Sequence, residues 1–406
     1  MDEPDVKDVA LREGTDEDAM CGVVPARVAR PENVGALAGL LAAAREAGLT
    51  VAARGGGTAM DWGTAPRSLD LLVETSGLSW IDHNAGDLVV EVGAGTPIAD
   101  LERVLAEAGQ RLSYDPVRSG GTVGGALATG LSGPGRLLAG ALRDLVIGMT
   151  VVRADGVVAR SGGRVVKNVA GYDLAKLHTG GYGTLGIIVS ATFRLHPRPP
   201  AVRLVSAPAP SPEAVERASA ALRASTVVPS AVESIHPLAG PPRLYVLLEG
   251  TEEGTAERAD VTARALGDTG VEVAEATPPG WGLVPDEGCL VRVLAPPAEL
   301  PALAHDLVTT AADRFGVRAG TTSSLPAGTL YLSTAPGASA EAVSALLARA
   351  RSGPGRAATL LRAEPPVRGA DVDVWGEVPG LALMRAIKDS LDPDHRLSPG
   401  RFAGGI

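Results

Sequence analysis

Residues 162–197 limit the possible folds more than any other stretch of the chain. They read GGRVVKNVAGYDLAKLHTGGYGTLGIIVSATFRLHP, and Gly181, Gly183 and Gly186 match the pattern G-x-G-x-x-G. A Rossmann nucleotide loop places this pattern between a strand and a helix, so that the helix N-terminus meets a pyrophosphate. Here residues 187–195 follow, and their β-branched, alternating sequence predicts a strand. The glycines therefore predict a close backbone approach in a fold other than the Rossmann fold.

Two more glycine-rich segments lie upstream. Residues 54–63 read RGGGTAMDWG after a predicted strand at 49–53. Three consecutive glycines expose backbone N–H groups that can form an anion-binding nest, to which Arg54 adds a positive charge. Residues 119–136 read SGGTVGGALATGLSGPGR, and so many positions without a side chain predict a flat or bulky ligand against the backbone. For each segment, the alternative is a tight turn without a ligand.

Charge and composition exclude several classes of function. The net charge of −10 over 406 residues argues against a nucleic-acid surface and against general attraction to anionic lipid. No apolar run approaches the length of a membrane span, and the acidic start MDEPDVKD lacks a secretory h-region. We therefore expect a cytoplasmic protein without direct membrane insertion, which a partner could hold at the inner membrane face.

The two cysteines, Cys21 and Cys289, are far apart, and the sequence has no C-x-x-C motif. The chain is therefore not expected to carry a thiolate-bound zinc or iron–sulfur site of its own. Two reduced thiols are favoured over one disulfide.

The pattern of elements predicts an α+β protein with several parts. We expect a loose leader at 1–20, in which Asp16–Asp18 are solvated charges, and a first domain at 21–199. Helices are predicted at 31–47 and 97–108, and a β-hairpin at 143–160. Prolines between 197 and 212 mark a domain change. Residues 200–365 then show β-α-β-β-α-β twice, which predicts one antiparallel sheet with helices on one face. Residues 366–406 hold a last helix at 381–391 and a tail.

At this point the motifs carry a resemblance to a known family. Residues 54–58, 120–133 and 167–174, followed by 183–188, resemble the FAD-binding domain of the vanillyl-alcohol oxidase, or PCMH, type. More narrowly, VKNVAGYDL with GTLGII, together with GGTVGGALATGLSGPGR, is similar to the FAD-binding subunit of bacterial glycolate oxidase. The resemblance is closest over 25–199, weaker over the tail LDPDHRLSPGRF, and weakest in the middle. It implies a two-part FAD-binding domain, a cap domain, and a C-terminal segment that returns to the flavin.

The resemblance also implies a set of cofactor-binding residues. The first loop would hold the FAD pyrophosphate through Arg54, Gly55, Gly56, Gly57 and Thr58. The second would lie along the diphosphate and isoalloxazine through Gly120, Gly121, Thr122, Gly124, Gly125 and Ser132. The third would contact ring and adenine through Gly171, Tyr172, Asp173, Gly183, Gly186 and Ile188, while Lys167 and Asn168 either neutralise reduced flavin or cap a turn. Thr58 stands where members with covalent flavin often carry histidine, so we expect non-covalent FAD.

No catalytic residue is assigned from the sequence. Related catalytic dehydrogenases carry an H-x-G-D-G-N-x-H-like cluster for a divalent metal, whereas none of the six histidines here is paired at ligand spacing, so no metal site is expected. Tyr172 either flanks the flavin or makes a structural hydrogen bond. Arg401 either reaches the flavin from the tail or forms a surface salt bridge. Trp62 is favoured as a core residue over a stacking platform.

The resemblance implies the FAD-binding subunit of a glycolate oxidase-type 2-hydroxy-acid dehydrogenase complex. A sister FAD and metal subunit would oxidise a small 2-hydroxy acid, and this chain would relay electrons to an iron–sulfur subunit. One alternative is a stand-alone FAD-dependent oxidase or dehydrogenase of a small alcohol or 2-hydroxy acid. Another is a scaffold subunit with a vestigial flavin site, which the intact glycine loops disfavour.

Overall fold

The computed structural model describes residues 9–165, 172–267 and 269–406. The chain divides into two compact units. The first unit comprises Met1–Ser132, Gly140–Arg198 and Val378–Ile406, and the second comprises Gly133–Ala139 and Pro199–Glu377. The chain therefore leaves the first unit after Arg198 and returns to it at Val378, so that residues 366–377 of the predicted C-terminal segment belong with the second unit.

The described part of the first unit contains three sheets. Its strands are β1 Leu11–Glu13, β2 Arg27–Ala29, β3 Val51–Arg54, β4 Leu71–Glu74, β5 Ile81–Asn84, β6 Val89–Gly93, β7 Gln110–Arg111, β8 Val146–Val152, β9 Val158–Gly162, β10 Ile187–Arg194 and β11 His196–Pro197. The first sheet has the order β1-β2-β4-β3, in which β2, β4 and β3 are parallel. The second is antiparallel with the order β5-β6-β10-β8-β9, and β7 pairs with β11. The strand predicted after the G-x-G-x-x-G pattern is β10.

The α-helices of the described chain are α1 Val34–Glu46, α2 Ile98–Glu107, α3 Val123–Thr129, α4 Arg136–Ala139, α5 Leu142–Leu145, α6 Ala175–His178, α7 Pro212–Ala224, α8 Glu252–Leu266, α9 Leu300–Phe315, α10 Ala340–Arg351, α11 Pro365–Arg368 and α12 Leu381–Leu391. Helix α1 begins where the Asn33 side chain accepts a hydrogen bond from Ala36 N–H. Its buried leucines share one hydrophobic cluster with Val51 of β3 and with Leu71 and Val73 of β4. This packing fixes the strand that leads into the first glycine loop.

The C-terminal tail extends the first sheet. Val51 N–H donates to Arg396 O at 2.8 Å, and Ser398 N–H donates to Val51 O at 2.8 Å. The Arg396 guanidinium also donates to Leu49 O at 3.0 Å and to Ala154 O at 2.5 Å. The tail therefore lies along β3, directly beside the entrance to the first glycine loop.

The second unit has one eight-stranded antiparallel sheet. Its strands are β12 Ala201–Pro208, β13 Ala231–His236, β14 Arg243–Gly250, β15 Glu272–Ala274, β16 Leu290–Leu294, β17 Ala319–Ser324, β18 Thr329–Thr334 and β19 Ala357–Arg362. The order is β15-β12-β14-β13-β17-β18-β16-β19, so that two split-βαβ halves meet where β13 pairs with β17. Helices α7 to α10 share one hydrophobic core with this sheet. The predicted double β-α-β-β-α-β pattern and the α+β fold class are confirmed.

Three local predictions need correction. The prediction of a loose leader at 1–20 is wrong from residue 9 onward, because Leu11–Glu13 pairs with β2 and Val9 is buried in the core. Helix α3 occupies a segment that we expected to be loop, since Thr122 caps a short run of small residues. The strand expected from 143 begins at Val146, after the helical turn α5.

Candidate cofactor site

The first glycine loop packs against the second through backbone. A Cβ atom on Gly55 would lie 2.1 Å from Thr122 Oγ1, and one on Gly56 would lie 2.2 Å from Gly120 O. Both distances are far below van der Waals contact, so a side chain at either position would push the loops apart. Gly57 has a φ of +74°, in the left-handed region that favours glycine. A close approach therefore requires Gly55 and Gly56, whereas the backbone conformation requires Gly57.

The second loop is held from both sides. Thr122 Oγ1 caps α3 by accepting from Gly125 N–H at 3.3 Å. Ile98 N–H donates to Gly121 O at 3.0 Å, and Val123 N–H donates to Thr96 O at 3.0 Å. The loop is thus anchored at the start of α2 and presents its glycines to the first loop.

Two adjoining clefts lie around these loops, both within the first unit. The first cleft runs along residues 54–58, Pro116, Val117 and the second glycine loop, and it includes Trp62, Tyr114 and Arg401. The second cleft is lined by the glycines after α6 and by His178. The clefts share Ala53, Gly55, Gly125, Ala128 and Tyr182, so together they form one elongated site.

Most of the predicted cofactor residues lie in this elongated site. The first cleft includes Arg54, Gly55, Gly56, Gly57, Thr58, Gly121, Thr122 and Gly125. The second cleft includes Gly124, Gly125, Gly183, Gly186 and Ile188. Gly120 supplies the carbonyl that approaches Gly56. The three glycine segments, which are distant in sequence, are therefore brought together as predicted.

Other predicted residues lie elsewhere. Ser132 lines neither cleft, and its buried hydroxyl accepts from Leu142 N–H at 3.0 Å. The Tyr172 side chain is 92% exposed, and the exposed Asp173 pairs with Lys176 at 3.4 Å. Neither residue lines a cleft, because their segment points to solvent. Lys167, Asn168 and Gly171 lie outside the described residues.

Arg54 does not present an unbalanced charge to the cleft, which corrects its expected role. Its guanidinium donates to Asp18 Oδ1 at 2.7 Å and to Glu74. Arg12 pairs with the same two carboxylates, at 2.6 Å and 3.1 Å. Hydrogen bonds from Arg12, from Thr15 N–H and from Arg54 hold the pKa of Asp18 well below its usual range. Asp18 is therefore a buried anchor of the first loop and not a solvated charge.

A buried lysine ties the tail to the third glycine segment. Lys388 Nζ donates to Thr184 O at 2.7 Å, to Asp392 Oδ2 at 2.6 Å and to Leu397 O at 2.9 Å. Asp392 Oδ2 also accepts from Leu397 N–H at 2.7 Å. Both charged side chains are fully buried, and burial lowers the pKa of Lys388. The pair therefore fixes the loop that lines the second cleft, a role that the sequence analysis missed.

His178 is a second residue that sequence reasoning missed. It is 9% exposed and lines the second cleft beside Gly186. Burial lowers its pKa to about 4, so that the imidazole is neutral at pH 7. A lone histidine between Leu177 and Thr179 carries no pattern that would mark it in the sequence.

The site fits a large ligand with an anionic middle. Side-chain-free backbone brings N–H groups to the first cleft, and the lining of that cleft contains three arginines but no aspartate or glutamate among the described residues. Trp62 Nε1 and Arg401 Nε are buried there without a partner in the described chain. The donors, the glycines and the elongated outline are all suited to a dinucleotide cofactor.

Comparison with known proteins agrees with this geometry. Residues 25–162 match the family model of the FAD binding domain, and residues 375–402 match the C-terminal domain of FAD linked oxidases. The chain carries an FAD-binding domain. The prediction of an FAD cofactor is confirmed, whereas non-covalent attachment stays a prediction.

Curated relatives of the FAD-binding domain include two groups of 2-hydroxy-acid enzymes. The chain is 41% identical over 121 residues to the glycolate oxidase subunit GlcE of Escherichia coli, over 29% of this chain and 35% of that protein. It is 32% identical over 186 residues to D-lactate dehydrogenase of Archaeoglobus fulgidus, over 46% of this chain and 42% of that protein. The chain therefore spans less than half the length of these relatives.

A solved structure has a similar fold over most of this chain. Alkyldihydroxyacetonephosphate synthase matches with a TM-score of 0.70 and 17% identity, over 93% of this chain and 76% of that chain. At this identity the likeness concerns fold alone. Within the described residues, no helix is both long and apolar enough to cross a membrane.

Proposed function

We propose that this chain is the FAD-binding subunit of a glycolate oxidase-type 2-hydroxy-acid dehydrogenase complex. The observation that carries the proposal is the elongated cleft built from all three glycine segments, in a chain that is 41% identical over 121 residues to a glycolate oxidase subunit. In this proposal the chain receives electrons from a sister flavoprotein that oxidises a small 2-hydroxy acid, and it passes them to an iron–sulfur subunit.

The residues of the cleft have distinct tasks in this proposal. Backbone N–H groups of residues 55–58 would hold the FAD diphosphate, while Asp18 and Glu74 keep Arg54 and the loop in place. Lys388 would fix the third glycine segment and the tail in their binding shape. FAD, when bound, supplies the capacity to accept and release electrons, and the protein supplies position and electrostatics. Thr58 offers no imidazole for covalent attachment, which supports non-covalent FAD.

The sequence favours the relay role over that of the catalytic subunit. None of the six histidines is paired at the spacing that the catalytic relatives use for a metal. A second candidate is a stand-alone FAD-dependent dehydrogenase of a 2-hydroxy acid. The similarity to D-lactate dehydrogenase and, at 31% identity over 202 residues, to D-2-hydroxyglutarate dehydrogenase of Xanthomonas citri favours that candidate.

The two candidates differ in what the chain does with glycolate when alone. The test is an anaerobic visible spectrum of the purified chain with FAD bound, before and after glycolate, and again after a sister subunit is added. We expect the flavin bands to persist with glycolate alone and to bleach when the sister subunit is present. Bleaching by the chain alone would establish the stand-alone candidate. Absence of flavin bands after incubation with FAD would overturn both candidates.

A further inference from the structure

Arg401 is a buried cation without a described counter-ion. Its side chain lies in the tail beside β3 and is 4% exposed. Nη1 donates to Cys21 Sγ at 3.2 Å and to Met60 O at 3.4 Å, while Nε has no partner in the described chain. No carboxylate of the described residues forms an ion pair with it. The expected surface salt bridge of Arg401 is therefore excluded within the described chain.

Trp62 lies beside Arg401 in the same cleft. It is 1% exposed, and its indole Nε1 has no partner among the residues that the structure describes. Cys21 connects the two residues, because its thiol donates to Trp62 O at 3.7 Å while its sulfur accepts from Arg401. The expectation of a core tryptophan holds for its burial, but the residue also lines the first cleft.

The electrostatics of the first cleft require an anion. A buried guanidinium without a counter-ion is unfavourable, because it has lost the water that stabilised its charge. Arg54 in the same cleft is balanced by Asp18 and Glu74, but Arg401 has only a thiol and a carbonyl. The indole N–H of Trp62 is a second buried donor without an acceptor among the described residues, which is also unfavourable.

We propose that Arg401 and Trp62 form the anion-binding end of the first cleft and donate to an anionic oxygen of its ligand. The inference rests on the proposed function, because the cofactor and the substrate of that function each carry an anionic group that could accept these hydrogen bonds. These groups are a phosphate of FAD and the carboxylate of a 2-hydroxy acid. The alternative is that Arg401 only connects the tail to Cys21 and Met60. Its loss would then change the stability of the protein but not its affinity for FAD or for a carboxylate ligand.

The test uses the full chain in two titrations. Flavin-free protein is titrated with FAD by flavin fluorescence, and FAD-loaded protein is titrated with oxalate, a carboxylate that cannot reduce the flavin, by visible difference spectroscopy. The variants are Arg401→Gln, Arg401→Lys and Trp62→Phe, and Trp62→Phe removes only the N–H donor. Arg385→Gln is the matched control, because Arg385 is an exposed arginine of the same C-terminal segment.

We expect Arg401→Gln to weaken one affinity at least tenfold, Arg401→Lys to recover part of it, and Trp62→Phe to weaken the same affinity by a smaller factor. A weaker affinity for FAD assigns the anion to the cofactor, and a weaker affinity for oxalate alone assigns it to the substrate. Both affinities within twofold of wild type in Arg401→Gln and Trp62→Phe would overturn the inference. If Arg401→Gln does not fold, the affinities of Trp62→Phe for FAD and oxalate decide whether the inference holds.

Failure of the proposed function gives a different result. Wild-type protein that binds no FAD would contradict the proposed function. In that case the anion site is tested by calorimetric titration with inorganic pyrophosphate. Pyrophosphate binding that is lost in Trp62→Phe and kept in Arg385→Gln would support the site. Absence of pyrophosphate binding by wild type would overturn it.

Discussion

Gly56 of the first unit and Gly316 of the second serve opposite purposes. In the first unit, a Cβ on Gly56 would lie 2.2 Å from Gly120 O, so the residue is needed because two segments of backbone touch. In the second unit, Gly316 ends α9 with a φ of +63°, and a Cβ there would meet nothing within 4 Å. The first glycine shapes a binding site, whereas the second only lets the chain turn.

Two ion pairs, one in each unit, differ in a similar way. Lys388 and Asp392 of the first unit are both fully buried, and Lys388 donates to the carbonyls of Thr184 and Leu397. Asp306 and Arg349 of the second unit pair at 2.5 Å between two helices, but the arginine side chain is 55% exposed. Burial makes the first pair a structural requirement, while solvent screens the second.

The largest expected effect tests this difference in ion pairs. Lys388→Met leaves Asp392 buried without its cation, so we expect a loss of about 3–5 kcal/mol in the free energy of unfolding. Arg349→Met in the second unit should cause no resolvable change. Urea denaturation measures both variants. Equal losses in the two variants would contradict the contrast between buried and exposed pairs.

The next effect tests the contrast between the glycines. Gly56→Ala forces the two loops apart, so we expect the affinity for FAD to fall about a hundredfold, or about 2.7 kcal/mol. Gly316→Ala should cost about 1 kcal/mol of stability and leave the affinity for FAD unchanged. Fluorescence titration with FAD and thermal denaturation give the two quantities. A Gly56→Ala variant with wild-type affinity would show that loop contact is unimportant for binding.

A third effect is dependent on pH. Burial lowers the folded-state pKa of His178 to about 4, while an unfolded histidine titrates near about 6.5. Below about pH 6.5 the unfolded chain binds a proton at His178 that the folded chain does not bind. The stability that the neutral folded histidine contributes is therefore fully present above about pH 6.5 and is lost as pH falls toward about 4. We expect a loss of about 2 kcal/mol between pH 7.5 and 5 that is absent in His178→Met.

His236 of the second unit gives the matched comparison for that pH effect. Its pKa is also lowered, first by burial and then by the charge of His305, but it is less enclosed than His178. His236→Met should therefore remove a smaller part of the pH dependence. Urea denaturation at several pH values measures both variants, and a larger effect at His236 would reverse the ranking.

The smallest expected effect concerns Asp18. Arg12 and Arg54 lower its folded-state pKa, so its contribution is present above the unfolded value of about 3.9 and is lost as pH falls below it. Asp18→Asn should lower stability on the order of 1 kcal/mol at pH 7 and loosen FAD binding through Arg54. The difference in melting temperature between variant and wild type should shrink as pH falls below about 3.9. A constant difference at all pH values would show that the charge of Asp18 is not what matters.

The same contrast explains how far the sequence predicted the structure. Elements with regular periodicity were predicted well: α12 of the first unit has the predicted bounds 381–391, and the second unit shows the predicted β-α-β-β-α-β pattern twice. The glycine motifs predicted the close approach of three segments because the missing side chains are visible in the sequence. The contact of Lys388 with Thr184 was not predictable, because the two residues are 204 positions apart and Lys388 with Asp392 looks like an ordinary i,i+4 pair. Asp18 was misjudged because the sequence does not show that two arginines enclose it.

The most direct test of the central claim is a crystal structure of the full chain with FAD. We expect the FAD diphosphate to lie within hydrogen-bond distance of backbone N–H groups of residues 55–58, with the rest of the cofactor along the second glycine loop and toward His178. A cofactor seated away from the first glycine loop, or a first cleft that stays empty at saturating FAD, would contradict it.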